Sequence, residues 1–314
     1  MTSPSPQVSV IIPTRDALLW LPGAVASIGG GPEIEIIIVD DGSSDGTAAW
    51  LDRLALADLR VVHINGAGRG PSAARNLALA AVRAPLVAFL DADDRWRPGK
   101  LAAQLRLHAA SPEVGFSFTD YMHVTESGEA KGPCFAWWPC FRSRHPQPAA
   151  FLLGDALAAI YAENVVGTST VVARTALLRA AGGFDEGLQQ AEDWDLWLRL
   201  AAMAPAACDP VVHVDYMMHR TGSLTRQIQA RLAGIRVVAE RHRAAVAALD
   251  RSAVRVCEAR VFSAEAEGAA AEGRHVRAVR LRIAALLRQP SARTARELAA
   301  AILAPLLAQA RSEA

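Results

Sequence analysis

Residues 86–96 read LVAFLDADDRW. Five apolar residues run straight into three carboxylates, Asp91, Asp93 and Asp94, crowded within four positions. Carboxylates repel one another and resist burial, so a strand ending this way needs something positive at its tip. A solvated turn would answer that need locally. A divalent cation held against an anionic substrate would answer it chemically.

The pattern of an apolar run followed by a polar loop recurs upstream. VSVII (8–12), IEIIIV (34–39) and VVHI (61–64) are continuous and rich in Val and Ile, as strands buried on both faces are. Between them, residues 17–28, 47–56 and 73–81 carry helix formers with apolar spacing of three and four. This alternation predicts an α/β fold with a Rossmann-like, mostly parallel sheet flanked by helices. Such sheets bind ligands at the carboxyl ends of their strands. Polar residues gather at those ends: Pro13, Thr14, Arg15 and Asp16 after the first run, and Asp40, Asp41 and Asp45 after the second. A glycine-rich stretch, 66–70, follows the third and leads into a helix with Arg75 and Asn76.

Joined in order, VSVIIPTRD, IIIVDDGSSDGT, GPSAARNLAL and LVAFLDADD resemble the family-2 glycosyltransferases of GT-A fold. The likeness continues through GTST (167–170), AGGFDE (181–186), EDWDLWLRLA (192–201) and HRTGSLT (219–225). It spans roughly residues 8–225, and it is the combination that is specific. The resemblance implies transfer of a sugar from a nucleotide-diphosphate sugar to an acceptor hydroxyl in glycan, polysaccharide or glycolipid synthesis. It also implies inversion at the anomeric carbon and help from Mn or Mg.

The same resemblance distributes roles among the residues. Asp91 and Asp93 match the family's Asp-x-Asp motif, with Asp93 as direct metal ligand and Asp91 on the metal, its waters or the ribose. Asp94 serves the sugar side or caps the next helix. Pro13 and Thr14, with Arg15 beside them, lie along the base, and Asp40 supports its loop. Asp41 accepts from a base imide N–H, which favours uracil over adenine and hence a UDP-sugar. Arg75 places its planar fork on the diphosphate, a role Arg69 could fill instead. Asp193 is the general base, with Glu192 beside it at the start of a helix whose dipole would keep it ionised. His219 is a metal or diphosphate ligand, or a surface histidine. Trp137 and Trp138 stack on an acceptor sugar or lipid, or close a local core.

Elementary chemistry supports such a set. Departure of a nucleoside diphosphate leaves negative charge that a hard cation stabilises, and one or two protein carboxylates suffice to hold it beside substrate phosphates. Two other readings stand against this one. FLDADDR looks superficially like the haloacid-dehalogenase-type phosphohydrolase motif. That class wants Thr or Val two places after the second acid, where this chain has Arg95, and wants the motif on its first strand. A non-catalytic binding module would have no need of Asp91, Asp93 and Asp193.

The 314 residues are 52% hydrophobic and 21% charged, enough for a sizeable core. A net charge of +1 gives no general affinity for nucleic acid, but the charge is unevenly spread. Residues 226–314 hold 16 Arg, no Lys and 8 acids, about +8, against about −7 for residues 1–225. The expected domains are a catalytic domain, 1–225, and an α-helical extension, 226–314. In the extension Val276, Val279, Ile283, Leu286 and Leu287 form an apolar stripe. The stripe predicts packing on the catalytic domain or on a second copy of the chain, with a membrane surface as the alternative. No signal peptide is visible in MTSPSPQ, and the apolar run 298–308 is short and broken by Pro305. The expected setting is cytoplasmic, with peripheral contact at the inner membrane face open to the basic helices. Four cysteines match no common zinc spacing.

Overall fold

The computed structural model describes residues 5–31, 33–218 and 228–312, with side chains to residue 303. Strands β1 (Val8–Thr14), β2 (Ile34–Asp40), β3 (Val61–Asn65) and β4 (Leu86–Phe89) form from the continuous apolar runs. Every residue of β2 and β4 is buried, so both faces of the sheet are covered there. The four strands pair in parallel in the order β3-β2-β1-β4. Helices Leu21–Ser27, Thr47–Ala57 and Pro71–Ala81 make the crossovers. Gly46 and Gly70 enter the second and third of these at φ 93° and 95°, a region that favours glycine, and Pro71 starts the third without losing a helical N–H bond.

The sheet continues with β5 (Arg95–Trp96), β6 (Phe116–Val124), β7 (Ala130–Pro133), β8 (Phe151–Leu153), β9 (Val172–Arg174) and β10 (Ala206–Met217). Its order is β3-β2-β1-β4-β9-β6-β10-β5, with β7 on β6 and β8 on β10. Strand β9 runs antiparallel to both β4 and β6, while β6 and β10 are parallel. The apolar run VVHVDY, 211–216, is only the second half of β10. The strand begins at Ala206 and passes two register irregularities between Asp209 and Val214, where Pro210 interrupts the pattern.

An aromatic triad couples the end of β4 to helix Glu192–Met203. Phe89, Phe184 and Trp197 meet with ring centroids 5.5–6.0 Å apart, in edge or tilted contacts. Trp194 and Trp197 are both fully buried, so the tryptophans of EDWDLWLRLA are packing residues. Phe89 stands two positions before Asp91, and Trp197 four after Asp193. One apolar contact therefore fixes the separation of the two acidic motifs.

The chain divides into two compact units. The first comprises Met1–Ala156, Val165–Leu188 and Glu192–Ser223; the second comprises Leu157–Asn164, Gln189–Ala191 and Leu224–Ala314. In the second, helices Ile228–Leu249, Arg251–Ala271, His275–Arg288 and Ala292–Ser312 follow one another. Asp250 caps the second of these by accepting from the N–H groups of Ser252 and Ala253. Arg231–Glu267, Arg236–Glu265 and Arg243–Glu258 pairs at 2.6–2.9 Å tie the first of the four to the second. Tyr161 Oη donates to the Ala239 carbonyl at 2.7 Å, and Arg260 donates to the carbonyls of Tyr161 and Ala162.

The apolar stripe anticipated in this extension is only partly packed away, with Val279 and Leu286 half-buried. Val276, Ile283 and Leu287 are 70%, 42% and 77% exposed, whereas the face of helix His275–Arg288 that is buried carries Ala278 and Ala285. Small side chains allow close helix approach: Ala278 meets Ala266 and Ala269 of the preceding helix, with Leu281 packed beside them. Among the described residues, no helix is long and apolar enough to cross a membrane.

Candidate active site

The loops leaving β1 and β2 at their carboxyl ends are laced together. Asp16, at φ 46°, accepts from Ser44 N–H at 2.7 Å and from its hydroxyl, while its own N–H donates to Ser43 Oγ. Asp45 accepts from Leu18 N–H and from both the N–H and hydroxyl of Thr47. Asp40 takes Ser43 N–H at 2.9 Å, the loop-supporting position the sequence implied. Thr14 is buried, and its Oγ1 has no partner among the described residues. Pro13 lies beside it at the end of β1, and Arg15 is exposed, 4.0 Å from Asp16.

Asp41, expected to read a base, has other partners here. Its two carboxylate oxygens accept from Arg69 N–H at 3.1 Å and Gly70 N–H at 2.7 Å. A Cβ on Gly66 would stand 2.9 Å from one of them, so Gly66 lets the 66–70 loop close on this buried acid. Arg69, the rival to Arg75, pairs with Glu186 at 2.7 Å.

Arg75 also departs from expectation. Its guanidinium, 6% exposed, joins Asp91 at 2.7 Å and Glu192 at 3.0 Å. It therefore bridges the two acidic motifs. Burial works against its charge, but Asp91, Glu192 and Asp193 outweigh burial and raise its pKa. The next residue, Asn76, clamps the AGGFDE turn, donating to the Phe184 carbonyl and accepting from Phe184 N–H.

Gly167-Thr168-Ser169-Thr170 is the second bridge, and no role for it was read from the sequence. Ser169 Oγ accepts from Asp91 N–H at 3.0 Å and donates to Asp94 at 2.5 Å; its carbonyl accepts from Trp96 Nε1 at 2.8 Å. Thr168 Oγ1 donates to Asp193 at 3.1 Å. The only signal available was that this polar tetrapeptide recurs in the resemblance between the two acidic motifs.

Asp94 is almost completely buried and also accepts from Met217 N–H at 2.9 Å. The following helix starts at Lys100 after Gly99, so Asp94 does not cap it, and both its oxygens hold backbone loops together. Burial, then the charges of Asp93 and Asp91, push its carboxyl well above the ordinary range. Asp91 and Asp93 stay on the more accessible side of the loop.

Glu192 and Asp193 do open their helix, as the sequence indicated. Burial works against the effect of that helix terminus, however. Burial raises Asp193 above its ordinary value despite the Trp194 N–H bond, Arg75 and Thr168. Burial and then the Asp193 charge push Glu192 up to about 7, with Arg75 pulling the other way. Desolvation outweighs the helix terminus.

A second ring cluster borders these acids. Burial, then the charges of Asp94, Asp93, Asp91 and Asp193, raise the Tyr216 hydroxyl. Tyr216 meets Tyr121 at 5.4 Å and His123 at 5.8 Å, and His123 meets Trp137 in a tilted contact at 4.7 Å. Trp137 is 42% exposed.

A bound divalent cation fits the donor set: Asp91 and Asp93 present hard carboxylate oxygens two residues apart on one loop, enough beside substrate phosphates. Among the described residues, no group of three or more His, Cys, Asp or Glu is gathered as a metal cage. His219, the other candidate ligand, lies outside the described residues.

Residues 9–153 match the model of Glycosyl transferase family 2. That span, a little under half of the chain, forms a domain of that family. It is 31% identical over 223 residues to the succinoglycan biosynthesis protein ExoU of Rhizobium meliloti, covering 68% of this chain and 62% of that protein. It spans 30% to 52% of the length of several other curated relatives. Two solved structures share the fold. Residues 1–349 of Staphylococcus aureus TarS, in complex with UDP, superpose with a TM-score of 0.62 at 19% identity, covering 98% of this chain and 87% of that one. The mannosyltransferase PcManGT of Pyrobaculum calidifontis, in complex with GDP-Man and Mn2+, gives 0.63 at 21%, covering 96% and 81%. Family membership removes the phosphohydrolase reading, and the β4 position of LDADD agrees, since that class uses its first strand.

Proposed function

We propose that this family-2 chain is an inverting glycosyltransferase that uses a nucleotide-diphosphate sugar, with Asp193 as its base. The observation that carries the reading is the double bridge between the acidic motifs: Arg75 spans Asp91 and Glu192, and the GTST turn spans Asp91, Asp94 and Asp193. That arrangement supports a donor site and a base built as one unit.

In this mechanism the nucleotide lies over the ends of β1 and β2, with Pro13, Thr14, Arg15 and Asp41 nearest the base. The unpaired Thr14 hydroxyl supports a ligand there, since buried polar atoms ordinarily find partners. A divalent cation, when bound through Asp93 and Asp91, supplies electrostatic stabilisation to the departing diphosphate. Asp193 takes the proton of the acceptor hydroxyl as its oxygen bonds to the anomeric carbon. The bond from that carbon to the diphosphate breaks, and its electron pair leaves on the β-phosphate oxygen. One displacement from the opposite face inverts the centre once. A raised pKa makes Asp193 a stronger base than an ordinary aspartate. Arg75 holds Asp91 and Glu192 in place while offsetting part of their charge.

UDP is the favoured donor nucleotide, in keeping with the UDP and UDP-GlcNAc complexes of TarS, and PcManGT makes GDP the alternative. The acceptor is a sugar, glycan or lipid-linked hydroxyl, approaching past Tyr216 and Trp137. The working location is cytoplasmic. Product NMR tests the proposal: an α-linked donor should give a β-linked product, and retention at the anomeric carbon overturns it.

A further inference from the structure

We propose that the outward face of helix His275–Arg288 is a docking surface for an anionic lipid membrane. The helix, HVRAVRLRIAALLR, contains four arginines and no acid. At 100° per residue, Val276, Arg280, Ile283 and Leu287 fall on one face, with Arg277 and Arg288 at its edge. All six are exposed. The opposite face, Ala278 and Ala285, is buried. The inner face is served by Ala278, Ala285 and Leu281, which leaves Val276, Ile283 and Leu287 as large apolar side chains without an inward role.

Charge decides between occupants. Arg282 points away from the outward face and pairs with Glu297, and Arg288 reaches Glu258 at 3.3 Å. Arg277 and Arg280 have no ion pair among the described residues. A second copy docking through the same face would bring like charges together in a closing apolar contact. A leaflet of anionic headgroups supplies the missing charge, accepts apolar side chains into the headgroup boundary, and lets long arginines snorkel. The surface commits to the bilayer itself, through headgroup phosphate and acyl chain together.

The test is sedimentation of the full chain with phosphatidylglycerol vesicles against phosphatidylcholine vesicles. The expected result is binding to the first and little to the second. Arg277→Gln/Arg280→Gln should weaken it roughly 30-fold, at about a tenfold loss for each 1.4 kcal/mol and about 1 kcal/mol per arginine. Ile283→Asn/Leu287→Asn should abolish what remains at high salt. Both pairs are solvent-exposed, and circular dichroism checks that helicity is kept. Equal binding to both vesicles, or none to either, overturns the proposal whether or not the variants fold. So does sedimentation equilibrium showing a dimer that Ile283→Asn/Leu287→Asn dissolves while vesicle binding is unchanged. Nucleotide-sugar turnover without vesicles should be the same in both variants, so the outcome is independent of the catalytic reading.

Discussion

Two apolar patterns in this chain met opposite fates. The Val- and Ile-rich runs of β1, β2 and β4 went fully inside, and each ends in a loop of acids and hydroxyls. The stripe of helix His275–Arg288, just as regular, left Val276, Ile283 and Leu287 outside. The difference lies in what each element can bury against. A central strand has sheet neighbours on both sides and helices on both faces, so continuity alone declares it buried. An amphipathic helix has two candidate inner faces, and here the alanine face wins because it admits closer packing.

The largest expected effect tests the acidic side of the comparison. Asp193→Asn should cut nucleotide release from a nucleotide sugar by about 10²-fold or more, while donor affinity in calorimetry is unchanged. A variant keeping a tenth of wild-type turnover breaks the base assignment. Arg75→Met comes next. Removing a buried cation leaves Asp91 and Glu192 facing each other, at a cost of about 3–5 kcal/mol in chemical denaturation. A loss below about 1 kcal/mol would mean that the acids are solvated and the bridge is incidental.

The pH profile sharpens the same point more gently. A base must be ionised, and a raised pKa means it is protonated at higher pH than an ordinary aspartate. Turnover should therefore fall as pH drops toward and below about 7, the value to which Glu192 is pushed, with the coupled pair titrating together. A rate flat down to pH 5 would contradict the burial of the pair. Smallest of all is Leu287→Gln. At 77% exposure it should change stability by no more than about 0.5 kcal/mol, whereas a packed leucine truncated to alanine costs about 2–5 kcal/mol. A large loss would place that side chain in a contact.

Much of this was legible in the sequence, for identifiable reasons. Strands buried on both faces advertise themselves by continuity, and the acids at 91–94 and 192–193 stand out because nothing apolar explains them. Partners were harder. That Arg75 would grip Asp91 and Glu192 depends on residues 16 and 117 positions away meeting in space, which no local spacing encodes. Ser169 had the same disadvantage, being one hydroxyl in a polar tetrapeptide. The burial that raises Asp193 could not be read ahead, because helix position is visible in sequence and desolvation is not. The start of β10 is hard to see in sequence, because AACDP alternates poorly and contains a proline.

The central claim is that the acids of LDADD are built to be neutralised by a cation arriving with a nucleoside diphosphate. Calorimetric titration of UDP and of GDP, each with Mn2+ and with chelator, tests it most directly in wild type and in Asp93→Ala. The account predicts that one nucleotide binds wild type much more tightly with the metal, and that Asp93→Ala loses the difference. Equal affinity with metal and with chelator in wild type, or no binding of either nucleotide, would contradict it.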